Sequence, residues 1–212
     1  NGLTIQSSAK VTGLGASNIV LSGTGGAGGD AVDVTSGGIV RTATGAINVT
    51  GTSGTGTSFN NGIYLSGAGT SVDSGGGNIT FNGTSKSTGG TSNYGVGIFS
   101  GSVVSTTALG NISLTGLAGL GTDHNTGLVV SGSTVSVVDG ALTINGTSGA
   151  GTGIYNRGIT IQLAAQVKAT GLGSVTMVGN SNATATSSYG GGIEVRSGAL
   201  VRTVMGAVNM TG

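Results

Sequence analysis

Cysteine, proline and tryptophan are absent from all 212 residues, and charge is scarce: seven Lys and Arg, six Asp and Glu and one His. Each shortage excludes something. Without cysteine there is no disulfide framework and no thiolate metal site. Zero cysteine also suits export of an unfolded chain through a pore. The formal net charge is +1 and the basic residues are scattered. Neither nucleic acid nor an anionic membrane would be drawn to such a surface. No apolar run approaches the roughly 20 residues of a membrane helix. Low charge does not mean disorder here. Disordered chains combine high charge with low hydrophobicity, whereas the mean hydropathy of this chain is +0.30.

What is abundant is glycine, with 47 residues, and it comes in a pattern. One motif recurs seven times: Gly, a small residue, an aliphatic, a polar residue, an apolar residue, one more, then Gly. It reads G-A-I-N-V-T-G from Gly45, G-N-I-T-F-N-G from Gly77 and G-N-I-S-L-T-G from Gly110. It returns from Gly140, Gly173 and Gly206, and a degenerate copy ends at Gly23. Its leading aliphatics are Ile19, Ile47, Ile79, Ile112, Leu142, Val175 and Val208, at steps of 28, 32, 33, 30, 33 and 33 residues. Two more aliphatic columns keep step. One is Leu3, Val32, Ile63, Val96, Leu128, Ile159 and Ile193; the middle one is Val11, Val40, Val72, Val104, Val135, Val167 and Val201.

Short alternating segments mean strands with one buried face. Units of this size cannot bury a face alone and must stack on their neighbours. Glycine every four or five residues, at about 1 kcal/mol each, argues against helix. The expected fold is all-β: a right-handed parallel β-helix, or β-solenoid, with about three short strands per coil of 28–33 residues and about seven coils. Right-handedness follows from the crossover rule.

A longer period overlies the coils. Residues 32–51 match residues 193–212 better than adjacent coils match each other, and only these stretches share Arg-Thr, at Arg41-Thr42 and Arg202-Thr203. Gly2 and Gly158 open similar runs, as do Thr12 and Thr170; the offsets are 156, 158 and 161 residues. This predicts a super-repeat of about five coils. Residues 1–212 then read as one continuous solenoid segment of a longer repetitive chain, since an isolated solenoid needs caps.

The motif's central column, Val20, Asn48, Thr80, Ser113, Thr143, Thr176 and Asn209, should point outward. Read as a column one residue wide, it predicts hydrogen-bonded side-chain ladders. Seven N-x-S/T sequons arise mostly from the alternation of Asn and Thr. Arg41 should meet Asp73 one coil away.

A ring-bearing residue sits four places before a strand start in most coils: Phe59, His124, Tyr155 and Tyr189. Tyr94 fits if the strand begins at Ile98, against a core spacing that prefers Val96; a local bulge would satisfy both. These five residues form a possible contact ridge for sugars or protein, or a stack that stiffens the turns. No catalytic, cofactor or metal site is expected. The six carboxylates Asp30, Asp33, Asp73, Asp123, Asp139 and Glu194 show no pair on neighbouring coils in one column, whereas polysaccharide chemistry needs a cluster.

The run of G-N-I-x-L-x-G units resembles the haemagglutinin-like and autotransporter-type bacterial β-helix adhesins and other giant β-strand-repeat surface proteins. That resemblance implies secretion to the extracellular space or cell surface and a role in adhesion, cell contact or matrix. It carries over no functional residue. The chain is expected to partner with itself in a fibre, and with surface glycans or other cells. A carbohydrate-binding or polysaccharide-cleaving β-helix domain is the alternative.

Overall fold

The computed structural model describes residues 1–184 and 189–212. It is all-β: 21 strands, three to a coil, form three parallel seven-stranded sheets, and no helix occurs among the described residues. The first sheet holds Leu3–Ile5, Val32–Thr35, Ile63–Ser66, Val96–Phe99, Leu128–Ser131, Arg157–Gln162 and Gly191–Val195. The second runs from Lys10–Gly13 to Leu200–Arg202 and the third from Ile19–Thr24 to Val208–Thr211. Every strand pairs with the strand one coil away.

Periodicity in the sequence becomes register in the sheets. Val32 pairs with Ile63, Ile63 with Val96, Val96 with Leu128 and Leu128 with Ile159. The motif aliphatics pair likewise, Ile47 with Ile79, Ile79 with Ile112 and Ile112 with Leu142. The middle valines do the same, Val72 with Val104 and Val104 with Val135. All of these are buried in one continuous core. Each such side chain contributes about 1.5–3 kcal/mol by leaving water.

The third sheet has two features that the columns alone did not give. Most of its strands have six residues and run through the motif's closing glycine, as in Ile47–Thr52. Gly51, Gly83, Gly116, Gly146 and Gly179 therefore face inward within strands rather than forming turns. A Cβ on Gly51, Gly83 or Gly116 would collide with the carbonyl oxygen of Gly62, Gly95 or Gly127, where the chain enters its next coil. Glycine is required there because two backbones touch.

The longer strands also give the outer face three polar columns instead of one. Thr50, Asn82, Thr115 and Asn145 form the second, and Thr52, Thr84 and Thr147 belong to the third. The expected ladder down Asn48, Thr80, Ser113, Thr143, Thr176 and Asn209 is absent: no side-chain hydrogen bond links these described residues. Asn48 lies between Val20 and Thr80, and Asn209 beside Thr176, so no amide meets an amide. Water competes for such exposed groups.

The amide ladder lies elsewhere, at the turn entering the first sheet. Asn60, Asn93, Asn125 and Asn156 are wholly buried, one per coil. Asn60 N and Nδ2 donate to Asn93 Oδ1 at 3.1 and 3.4 Å. Asn93 Nδ2 donates to Asn125 Oδ1 at 2.9 Å, and Asn125 N and Nδ2 donate to Asn156 Oδ1 at 3.0 and 3.1 Å. Asn60 Oδ1 ends the ladder without a partner, because Gly29 stands at the equivalent place one coil back.

Candidate functional site

The surface rings concentrate on the outer face of the first sheet. The buried asparagine turn explains why. In five successive coils the residue four places before the core aliphatic takes a left-handed backbone: Phe59 (φ 55°), Ser92 (59°), His124 (55°), Tyr155 (61°) and Tyr189 (59°). A bulky residue at positive φ is uncommon and costs about 1–3 kcal/mol. The next residue in four of these coils is the ladder asparagine. The turn holds the ring out while the amide goes in.

Tyr94 does not belong to that column. Val96, not Ile98, is the core residue, paired with both Ile63 and Leu128, and no bulge intervenes. Ser92 occupies the left-handed position, and Tyr94 lies two residues later, in the row of Asn61, Thr126 and Arg157. The ridge is therefore two clusters. His124, Tyr155 and Tyr189 stack along the axis, with centroids 5.0 and 5.2 Å apart. Tyr94 joins Phe99, and Phe99 joins Tyr64, at 5.5 and 5.4 Å. Phe59 stands apart from the stack and lines a cavity with Tyr64, Tyr94 and Phe99.

Beside the three-ring stack sits a charged network. Arg157 Nη2 lies 3.0 Å from Glu194 Oε1. The Arg157 guanidinium also covers the Tyr155 ring at 4.7 Å, a cation–π contact. Arg196 donates through Nε and Nη2 to Gln162 Oε1 at 2.9 and 2.6 Å. Arg196 Nε is also 3.1 Å from Glu194 Oε2. Its hydrogen points at Gln162, so that contact is Coulombic and Glu194 Oε2 accepts no hydrogen bond. Arg157 is buried although it lies on the outer face. Rings and guanidinium groups close over this part of the sheet. Tyr94, His124, Tyr155, Arg157, Gln162 and Arg196 line a small notch there. Burial lowers the pKa of His124, the positive charges of Arg157 and Arg196 lower it further, and Asp123 opposes them. The net effect favours the neutral imidazole.

The other cluster lines a cavity of about 390 Å³ with Asp30, Phe59, Asn61, Tyr64, Tyr94 and Phe99. Asp30 Oδ1 accepts from Asn61 N and Nδ2 at 2.9 and 2.8 Å. Asn61 Oδ1 accepts from Tyr94 N at 2.9 Å. Three coils are thus tied along the axis. Burial raises the Asp30 pKa; the Asn61 hydrogen bonds pull it down, and Asp33 adds a smaller upward push. Asp33 is also raised, first by burial.

The carboxylates fall as follows. Asp33 and Glu194 share one outward row, separated by Tyr64, Gly97, Val129 and Thr160. Asp30 and Asp33 influence each other within one coil, a relation that a search along columns passes over. Asp73 meets Arg41 at 3.2 Å, as the column spacing predicts. With the Arg41 side chain 65% exposed, the pair contributes about 0–1 kcal/mol. Among the described residues no three His, Asp or Glu side chains converge as a metal site needs.

Sequence reasoning missed Tyr64, Phe99, Arg157, Arg196, Gln162, Asp30 and Asn61 as parts of one surface. The usable signal was parity. Tyr64, Glu194, Phe99 and Arg196 stand one or three places after the core aliphatics of the first sheet, whereas Arg157, two places before, has the parity of a core residue and carried no such signal. The ladder had a signal too: Asn follows the left-handed residue at Asn60, Asn93, Asn125 and Asn156. Comparison of the chain with protein-family models, curated proteins and solved structures finds no match.

Proposed function

We propose that this chain is a segment of a structural and adhesive extracellular fibre or cell-surface stalk, built by stacking β-solenoid coils. Its first partner is itself, through continuation of the stack. Its further partners are surface glycans or other cells. The observation that carries this reading is the unbroken register: in all three sheets each strand repeats its neighbour's core position from the first coil to the last. Such a stack is quasi-one-dimensional and extends without changing its design. Its surface rings gather on one sheet, where a rod would present them repeatedly. The test is adhesion. Beads coated with the chain should hold to cells or matrix more than beads coated with an unrelated β-solenoid, and soluble chain should compete. Equal retention would defeat the adhesive reading.

A second reading, a carbohydrate-binding β-helix domain, is favoured by the aromatic cavity. We assign no catalysis to it. Asp30 already accepts two hydrogen bonds at Oδ1. Incubation with neutral and acidic polysaccharides should release no new reducing or unsaturated ends. Release that disappeared in Asp30→Asn would overturn that assignment.

A further inference from the structure

The chain has four Tyr and three Phe. Phe81 is in the core. Four of the remaining six, Phe59, Tyr64, Tyr94 and Phe99, line a single cavity. In a protein so poor in aromatics, this convergence is the most concentrated surface feature. We propose that this cavity binds a neutral pyranose ring of a glycan, stacked on the aromatic side chains and hydrogen-bonded through its hydroxyl groups to Asp30 and Asn61. The inference deepens the adhesive reading by giving it a site and a ligand class, and it rests on the adhesive half of that reading alone.

The cavity has the form that such a ligand needs. Its volume of about 390 Å³ lies in the range of small-molecule sites, about 300–1,000 Å³. Tyr64, Phe99 and Tyr94 form a tilted strip, with interplanar angles of 35° and 41°. The Phe99 ring sits over Gly97, where a Cβ would strike it. A pyranose has an apolar face of C–H groups and a polar edge of hydroxyls. The strip suits the face.

Asp30 and Asn61 suit the edge. Their mutual hydrogen bonds, and the bond from Tyr94 N to Asn61 Oδ1, fix both groups before any ligand arrives. Pre-positioned polar groups lose less entropy on binding. Asp30 Oδ2 makes no hydrogen bond within the described residues, so it can accept from a hydroxyl. Asp30 and its neighbour Asp33 disfavour an anionic sugar.

Phe59 adds an independent observation. It is 67% exposed, has no ring partner among the described residues, and sits at φ 55°. Folding gains little from an exposed phenyl group in a conformation that glycine adopts freely. An exposed ring held there at a conformational cost fits a contact residue.

The same residue supplies the decisive variant. Phe59→Gly removes the ring and relaxes the backbone, so the variant should fold at least as well as the parent. The full chain should be applied to immobilised neutral hexose, N-acetylhexosamine, uronate and sialylated oligosaccharides, and choline chloride titrated by NMR. Retention on neutral glycans is expected. It should weaken about tenfold or more in Phe59→Gly and in Tyr94→Ala, equivalent to about 1.4 kcal/mol, with melting of Phe59→Gly not lowered. Tyr155→Ala, outside the cavity, should bind like the parent. No retention of neutral glycans, retention of acidic glycans only, a choline shift without glycan binding, or unchanged binding in Phe59→Gly would each overturn the proposal. Cell adhesion by beads that bind no glycan would sink this inference and leave the adhesive reading standing.

Discussion

At the scale of single residues, burial and partnership decide what each polar group does. Asn125 is wholly buried, receives one ladder bond and donates two. Asn125→Ala removes two buried hydrogen bonds, Asn93 Nδ2 to Asn125 Oδ1 and Asn125 Nδ2 to Asn156 Oδ1, while Asn93 Nδ2 keeps the Thr57 and Gly89 carbonyls and Asn156 Oδ1 keeps the backbone N–H of residue 125. It should cost about 0.5–1.5 kcal/mol per lost bond. Asn48→Ala, on the exposed face, should stay within about 0.5 kcal/mol. Urea denaturation midpoints compare the two; equal midpoints would count against the ladder. Asp30 gives a pH prediction. Burial raises its folded pKa above the ordinary 3.8. For a raised pKa, stability is fully present below the unfolded value and lost as pH rises through the folded value. The carboxylate therefore weakens the fold at neutral pH. Asp30→Asn keeps the Oδ1 acceptor and removes the charge. It should melt higher than the parent near pH 7, and the gap should close as pH falls towards 3.8. A gap that widened on acidification would reverse the sign.

At the scale of elements, the inward glycines of the third sheet set how closely a strand can pass the start of the next coil. A Cβ on Gly116 would collide with the Gly127 carbonyl. Gly116→Ala should cost about 1–3 kcal/mol or more through forced backbone shifts. Gly89 has nothing within 4 Å of an added Cβ and no positive φ. Gly89→Ala should be neutral or up to about 1 kcal/mol stabilising, because it restricts the unfolded chain. Thermal melts of the two variants separate close approach from mere turn preference. Ile112 tests the register itself. It is 1% exposed, between Ile79 and Leu142. Ile112→Asp buries an unpaired charge and should abolish cooperative melting near the parent temperature.

At the scale of the whole molecule, the stack has three different faces. The third sheet shows Thr, Asn and Ser without a charge, the second carries Lys10, Arg41, Asp73, Lys168 and Arg202, and the first gathers the rings with Asp33, Arg157 and Glu194. Coils at about 4.8 Å give about 24 Å for a five-coil super-repeat. Oriented fibres of a chain carrying successive super-repeats should diffract at both spacings along the axis. A strand reflection perpendicular to the axis would defeat the fibre geometry.

The sequence by itself determined the coil. Three aliphatic columns at 28–33-residue steps could be buried together only by stacking in register, and Ile63, Val104 and Ile112 lie where that logic puts them. It also placed Arg41 against Asp73, because a column position is a spatial position in a solenoid. Tertiary structure alone decided the rest. Only the carbonyl of the following coil shows why no Cβ fits at the closing glycines. Asn60 and Asn48 look alike in the sequence; one is buried in a ladder and the other is in water. Tyr94 looked like a member of the ring column until register fixed Val96 as the core residue. The cavity of Asp30, Phe59, Asn61, Tyr64, Tyr94 and Phe99 draws on three coils. Columns record what repeats, whereas a site is made by unlike residues on adjacent coils, which only the folded stack brings together.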